Sequence, residues 1–335
     1  MARKYSRADY LALKRSQIPA SLAQIKGMRF DSEEDASVFF ARELDHVKSK
    51  TYDKLYPQFT VLNNIPRTSD ANPGAETITF YSYDKTGLAE IISNYATDLP
   101  RADVKGKPTT VQIKSLGASY GYNVQEMRAS RLAGKGLDAR KAEAARFAMD
   151  YATNRIALVG DKENGLMGLL SDWNDIPVFV LPAGASGKTD FKSKTADEIL
   201  ADFTAFVMFT ARVTNDVEKP DSAMIASEVY YDLATRRIPD TDTTILKFLL
   251  DNQPYIKKII PAPELQADNV DVNSYGKNLL VLYTDDPDKM AFEEPMPFYQ
   301  HPAQNKNLEV EVPCESRVAG LMLYYPLSAL IVAGV

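Results

Sequence analysis

The most suggestive chemistry in this chain lies at Ala183-Gly184-Ala185-Ser186-Gly187-Lys188-Thr189, which follows a strand-like segment and ends in Gly-Lys-Thr as a phosphate-binding loop does. Such a loop needs a glycine five positions before Gly187 and a helix that begins at the Lys-Thr, so that its first amides face the phosphate. Pro182 stands at the first place, and the next helical pattern starts only at about Thr195. The run therefore reads as a flexible loop of small residues. Metal chemistry is poorly supplied: His46, His301 and Cys314 lack the spacing of a zinc cluster. Asp240 with Asp242, and Asp285 with Asp286 and Asp288, lack the glycine and closing glutamate of a calcium loop and read as turns. No serine nucleophile elbow is present, and the lone Cys314 reads as a passive residue in a polar turn between strands. Trp173 and the 18 tyrosines could stack on bases, but 10% aromatic content is ordinary packing. Gly117 and Gly121, in a strand-like run, read as close backbone approach or a bulge. These residues give no catalytic, cofactor-binding or metal site, so the elements themselves carry the argument.

Composition fits a soluble globular chain: 335 residues, 45% hydrophobic and 25% charged, long enough for one large domain or two to three smaller ones. Apolar runs such as ILKFLL and LSALIVAGV fall short of the roughly 20 residues of a membrane span, and the polar N-terminus lacks the apolar core of a secretory signal. One cysteine allows no intrachain disulfide. The net charge of −6 is uneven, with +6 over residues 1–30 against −12 over the rest. A basic arm on an acidic body predicts that the arm contacts another surface, and that the body does not wrap nucleic acid tightly.

The longest predicted helix follows Asp138. Ala142, Ala145, Met149, Ala152, Ile156 and Val159 alternate at three and four, a stripe of small and apolar side chains that can lie close on a sheet, and Gly160 can stop the helix. Upstream, residues 1–30 read as an extended arm with short helical pieces, 32–50 as a helix capped by Asp31 or Ser32, and FTVLNNI as a short strand bounded by Pro57 and Pro66. ETITFYSYD from Glu76 and TTVQIKSLGASYGYN from Thr109 both read as strands with no single buried face, a ribbon reaching out from the body. The polar connection between them, with KGKP at 105–108, is too long for a tight turn. After Gly160 come a turn, the strand PVFVLP and a helix opened by a Thr195–Glu198 capping box. Strand and helix then alternate, SAMIAS into EVYYDLATRR and TILKFLLDN into YIKKIIPAP, before the strand LLVLY. The last thirty residues return to strand-like alternation and end apolar, which predicts burial of the terminus in a sheet.

Taken in order, TYDKLYP at 51–57, PGAETITFYSYDKTGLAEIISNYATDLPRADV at 73–104, SLGASYGYN, the Ala-rich long helix and GDKENGLMGLL at 160–170 resemble the tailed-phage major capsid proteins of the HK97 fold, over nearly the whole chain from about residue 50. The resemblance implies an α+β capsid fold with an N-terminal arm at 1–50, a lead-in to the peripheral domain at 51–75, and an extended β-ribbon, the E-loop, at 76–123. It further implies a peripheral domain with a spine helix at 124–184, an axial α/β domain at 185–305, and C-terminal strands at 306–335 that complete the peripheral domain.

The implied function is that of a structural protein, not an enzyme, which forms homo-oligomeric capsomers and an icosahedral shell around double-stranded DNA held without sequence-specific binding. The place is the virion capsid, assembled in the host cytoplasm, with no membrane and no cofactor. Scaffolding, portal and decoration proteins are the further partners, and any scaffold is separate, because no long acidic or coiled segment precedes the body. Assembly contacts are expected at Asp84, Lys85, Arg101, Lys105 and Lys107 in the E-loop and at Arg3, Lys4 and Arg7 in the arm. Lys85, Lys105 and Lys107 resemble the cross-linking lysines of some members, but without an identifiable Asn and acid partner, cross-linking is not expected. The alternatives are an encapsulin-like cargo compartment, or a nucleotide-binding enzyme using the 182–189 loop.

Overall fold

The computed structural model describes residues 59–86, 102–134 and 138–335. The expected arm over 1–50, its helix at 32–50, and the predicted contacts Arg3, Lys4, Arg7 and Arg101 lie outside these residues. The segment FTVLNNI, expected as a strand, forms a short helix, α1 (Thr60–Asn64). Its first amides are met from far along the chain: Thr60 N and Val61 N donate to Glu264 Oε1 at 2.6 and 3.4 Å, and Leu62 N donates to Asn154 Oδ1 at 3.4 Å. These contacts bury Val61 and Leu62 and override the local strand preference. A two-residue strand, β1 (Arg67–Thr68), follows.

The ribbon consists of β2 (Thr77–Thr86) and β3 (Asp103–Gln112), antiparallel from Thr77↔Gln112 to Thr86↔Asp103. The run from Thr109, expected as one strand, breaks at the buried Ile113. Its second half is β4 (Lys114–Asn123), which pairs over its full length with β12 (Glu309–Val318) in a different sheet. Residues 114–123 thus leave the ribbon to which they had been assigned. On the other side of β12 lie β10 (Met296–Gln300) and β11 (Gln304–Lys306). Helix α2 (Val124–Ala133), not anticipated, opens with an Asn123–Glu126 capping box and closes on Gly134 at φ 63°, both legible in hindsight.

The long helix is α3 (Asp138–Leu158), 21 residues, with Gly160 at φ 75° just beyond it. Its stripe does what the spacing predicts: Ala145 and Met149 pack with Cys314 of β12, against Leu116, Ala118, Tyr120 and Phe298. Cys314 therefore sits in mid-strand under the spine helix, and not in a polar turn. Its alternation with outward-facing neighbours, Glu-x-Pro-Cys-Glu-Ser, had disguised a strand with one face on a helix.

A five-stranded sheet forms the other half of the body, in the order β5 (Val178–Val180), β14 (Ala329–Ala333), β8 (Leu279–Tyr283), β6 (Ser222–Ala226), β7 (Lys258–Ala262). Around it lie α4 (Ala196–Val213), with the expected Thr195–Glu198 capping box, α5 (Ser227–Thr235) and α6 (Ile245–Asn252). The second strand–helix pair comes in reverse: TILKFLLDN is the helix and YIKKIIPAP holds the strand. Thr244 caps α6, and Ile245, Leu246 and Leu249 line one helical face, a period the apolar composition had masked.

The last strand also differs from expectation. Whereas β12 flanks the spine helix, β14 runs between β5 and β8 in the five-stranded sheet, with Ala329 to Val332 wholly buried. An unbroken apolar run suits a central strand covered on both faces, while the half-exposed alternation of β12 suits a sheet with one covered face. Between the two regions, β9 (Met290–Glu293) pairs with β1 and with β13 (Gly320–Leu323).

Candidate assembly surface

The register of the ribbon sorts its side chains into two faces. One carries Ile78, Phe80, Ser82 and Asp84 of β2 opposite Val111, Thr109, Lys107 and Lys105 of β3. Near the root this face is partly covered by the body, where Phe80 meets Tyr324 edge to face with ring centroids 4.9 Å apart. Farther out it is polar and charged. The other face carries Thr79, Tyr81, Tyr83 and Lys85 opposite Thr110, Pro108, Gly106 and Val104.

That second face is exposed along its whole length and is apolar in its outer half. Tyr81 and Tyr83 are 62% and 68% exposed and Val104 56%, and the two tyrosine rings lie 6.5 Å apart and nearly parallel. Gly106 lies closely beneath Tyr83: a Cβ there would lie 3.0 Å from the ring, which would have to shift to make room. Three neighbouring large apolar groups on a two-stranded ribbon, turned away from their own body, make a surface shaped for contact.

The sequence-predicted contacts fall on both faces. Asp84 stands directly opposite Lys105, and Lys107 opposite Ser82, whose hydroxyl donates to the Lys107 carbonyl at 3.3 Å. These three charges share the polar face, and Lys85, opposite Val104, lies on the aromatic one. Charge had drawn attention to the lysines, but Tyr81, Tyr83, Pro108 and Val104 form the larger feature. Its signal was the Tyr-Ser-Tyr-Asp alternation in β2, readable only once the register supplies the partner strand.

The root of the ribbon is pinned at several points. Ile113 N donates to the Glu76 carbonyl at 2.8 Å, an Arg317 Nη1–H donates to the Pro73 carbonyl, and Gly74 N donates to Asn72 Oδ1 at 2.8 Å. Glu293, 2% exposed, accepts from Ala71 N at 2.9 Å and from the Thr68 hydroxyl. The ribbon is thus held at its base while its outer half stands clear.

The amides that a phosphate-binding loop would offer are already engaged within the glycine-rich loop and with Glu198. Gly184 N donates to the Lys188 carbonyl and Gly187 N to the Gly184 carbonyl, both at 2.9 Å, so the loop closes on itself. Ala185 N donates at 2.7 Å to Glu198 Oε1, an anion already in place, and bonds from Thr195 N and Ala185 N hold that carboxyl below its usual range. Among the described residues no cluster of His, Cys, Asp or Glu could hold a metal ion, and no helix is long and apolar enough to cross a membrane. Burial pushes the Cys314 thiol up, away from the reactive thiolate.

The sequence model of the major capsid protein family matches residues 87–335. The chain belongs to that family. No protein of curated function matches its sequence. In fold, this capsid protein is similar to the capsid of Myoviridae phage XM1, with a TM-score of 0.75 at 16% identity, over 90% of this chain and 100% of that one. The capsid of a native GTA particle gives a TM-score of 0.60 at 13% identity over 91% and 99% of the two chains, and Mycobacterium phage Ogopogo gives 0.57 at 13% over 87% and 96%. At these identities the likeness is one of fold. The capsid protein has the α+β architecture of HK97-like phage capsids and is a structural protein of a shell.

Proposed function

We propose that the capsid protein tiles the icosahedral shell of a tailed double-stranded DNA phage through pentamers and hexamers, each copy laying the ribbon of residues 77–112 across a neighbour with the Tyr81–Tyr83 face downward. The observation that carries this reading is that exposed aromatic face on a ribbon pinned at its root. A single copy leaves it in water, and a ring of copies covers it at every interface. Many such contacts, each weak, multiply through closure into a stable shell.

In this reading the segment 1–50 is an arm docked on another copy, α3 and the sheet of β4, β12, β10 and β11 form the peripheral domain, and the five-stranded sheet with its helices forms the axial domain. The last strand, β14, then belongs with the axial domain. The shell is not an enzyme. It is assembled in the host cytoplasm with a separate scaffold and a portal, and it encloses DNA without reading its sequence, which an acidic body allows. Asp84, Lys105 and Lys107 remain on the outward face of the ribbon, where decoration proteins or neighbouring ribbons are the partners.

Velocity sedimentation of purified protein tests the reading. Tyr81→Ser with Tyr83→Ser leaves a folded subunit that no longer forms capsomers or shells. Assembly indistinguishable from the parent would remove the aromatic face from the account. Nuclease-protected DNA in particles from the native source separates a virion from a cargo compartment, and unchanged thermal stability with added nucleotide disposes of the loop at 182–189.

A further inference from the structure

Asn164-Gly165 is the one Asn-Gly pair in the chain, and it forms the tip of the turn that follows the spine helix. The last carbonyls of that helix need partners from beyond it. Val159 N and Gly160 N donate to the carbonyls of Arg155 and Ile156 at 2.8 and 2.9 Å, and Leu169 N and Leu170 N donate to those of Ala157 and Leu158 at 2.8 and 2.6 Å. The chain thus turns back to cap its own spine, and residues 161–166 make the return. Asp161 N donates to the Leu166 carbonyl at 2.7 Å and Leu166 N to the Asp161 carbonyl at 2.8 Å, which delivers Leu166 and Leu169, 2% and 0% exposed, into the main core.

Inside the turn one carboxylate organises three donors. Asp161 Oδ1 accepts from Glu163 N and Asn164 N at 3.1 and 3.2 Å, and Oδ2 accepts from Asn164 Nδ2 at 2.6 Å. The bond from the Asn164 side chain is the largest of the influences that hold the Asp161 carboxyl below its usual range. Gly165 is tied more loosely. Its amide reaches the Lys162 carbonyl at 3.3 Å, it and Asn164 are both exposed, and apart from its chain neighbours no described residue lies within 4 Å of where a Cβ would stand. Without that Cβ, nothing shields the Gly165 nitrogen from the side-chain carbonyl that precedes it.

We propose that Asn164 is a site of spontaneous deamidation, and that its conversion loosens the cap of the spine helix. Gly165 N gives its proton to solvent and bonds to Asn164 Cγ, while the Cγ–Nδ2 bond breaks and the nitrogen takes up a proton and leaves as ammonia. The product is a cyclic imide. Water then opens the imide at Cγ, giving aspartate, or at the backbone carbonyl, giving isoaspartate with the chain running through Cβ. Net, one side-chain amide and one water become one carboxylate and one ammonium ion, with no oxidant or cofactor.

Aspartate puts an anion where Nδ2 now meets Asp161 Oδ2, and isoaspartate lengthens the backbone within the turn. Both products remove the donor, and the new carboxylate repels that of Asp161. The return that brings Leu169 and Leu170 to the helix end then loses the side-chain bond that braces it. This is a property of the subunit and does not depend on the shell reading above.

Peptide mapping by mass spectrometry tests the assignment on the full chain, aged in mildly alkaline buffer at physiological temperature. The expected result is that Asn164 gains the mass of an amide-to-acid conversion ahead of every other asparagine, in two forms that chromatography separates. Asn164→Ser, which offers Asp161 a hydroxyl and cannot form the imide, stays unmodified. Asn164→Asp installs one product outright and should speed hydrogen exchange at the Leu169 and Leu170 amides by roughly 2- to 12-fold over the parent, the equivalent of one lost hydrogen bond. An Asn164 that remains intact once a free peptide of sequence KENGLM has fully converted, or that converts no sooner than the other asparagines, overturns the assignment. Parent-like exchange at Leu169 and Leu170 in Asn164→Asp overturns the loosened cap.

Discussion

Tyr81 and Tyr83 are the residues on which the assembly account turns, because they are large, adjacent on one face and left exposed by the described residues of their own chain. Replacing exposed groups changes subunit stability by no more than about 0.5 kcal/mol, so the double serine variant should melt with the parent and differ only in sedimentation. The opposite case is Lys194 with Asp202, a pair 2.5 Å apart with side chains 1% and 8% exposed. Lys194→Met strands a buried carboxylate and should cost about 3–5 kcal/mol in chemical denaturation, and adding Asp202→Leu should recover much of that loss. Neither feature was legible as such in the sequence. The ribbon was found from its β-rich composition, and its lysines were chosen for their charge. That Tyr81 and Tyr83 share a face follows from the strand's period of two, but which residues of β3 lie beside them depends on a register set by positions 17 to 35 residues apart, from Thr86↔Asp103 to Thr77↔Gln112, which no local pattern contains.

Among the elements, α3 was read with nearly its full extent because period, stripe and glycine stop agree within one stretch of chain. Its end illustrates how close that packing is. A Cβ on Gly168 would fall 2.3 Å from Gly160 N, and one on Gly160 2.4 Å from the Leu166 carbonyl, whereas Gly165, at φ 70°, has open space around it. Gly168→Ala should therefore destabilise well beyond the ~1–2 kcal/mol that a left-handed alanine costs at Gly165, a ranking that thermal melts of the two variants would check. Elements were misread where distant partners decide. The strand expected at FTVLNNI became α1 because Glu264 and Asn154 supply its amide partners, and TILKFLLDN became a helix that is capped by Thr244 and packs against α4 and α5, the latter preceding it and the former still farther back in the chain. Met149, 3% exposed beneath the four-stranded sheet, gives the spine a direct test: Met149→Ala should cost about 2–5 kcal/mol and loosen that sheet first.

At the scale of the whole molecule, the architecture was legible in the order of the motifs more than in any one of them, and the chain end was the least readable part. A run as apolar as Ala329–Val332 announces burial but not in which sheet, and only the pairing with β8 and β5 places it. The described residues form a body with a pinned ribbon whose Tyr81–Tyr83 face they leave exposed, and the proposed shell is what would cover it. Electron cryomicroscopy of particles formed by the purified protein tests this most directly. The account predicts closed icosahedral shells in which each ribbon crosses onto an adjacent subunit and the Tyr81–Tyr83 face is covered there. A chain that remains monomeric at high concentration, or shells in which that face is left to solvent, would contradict it.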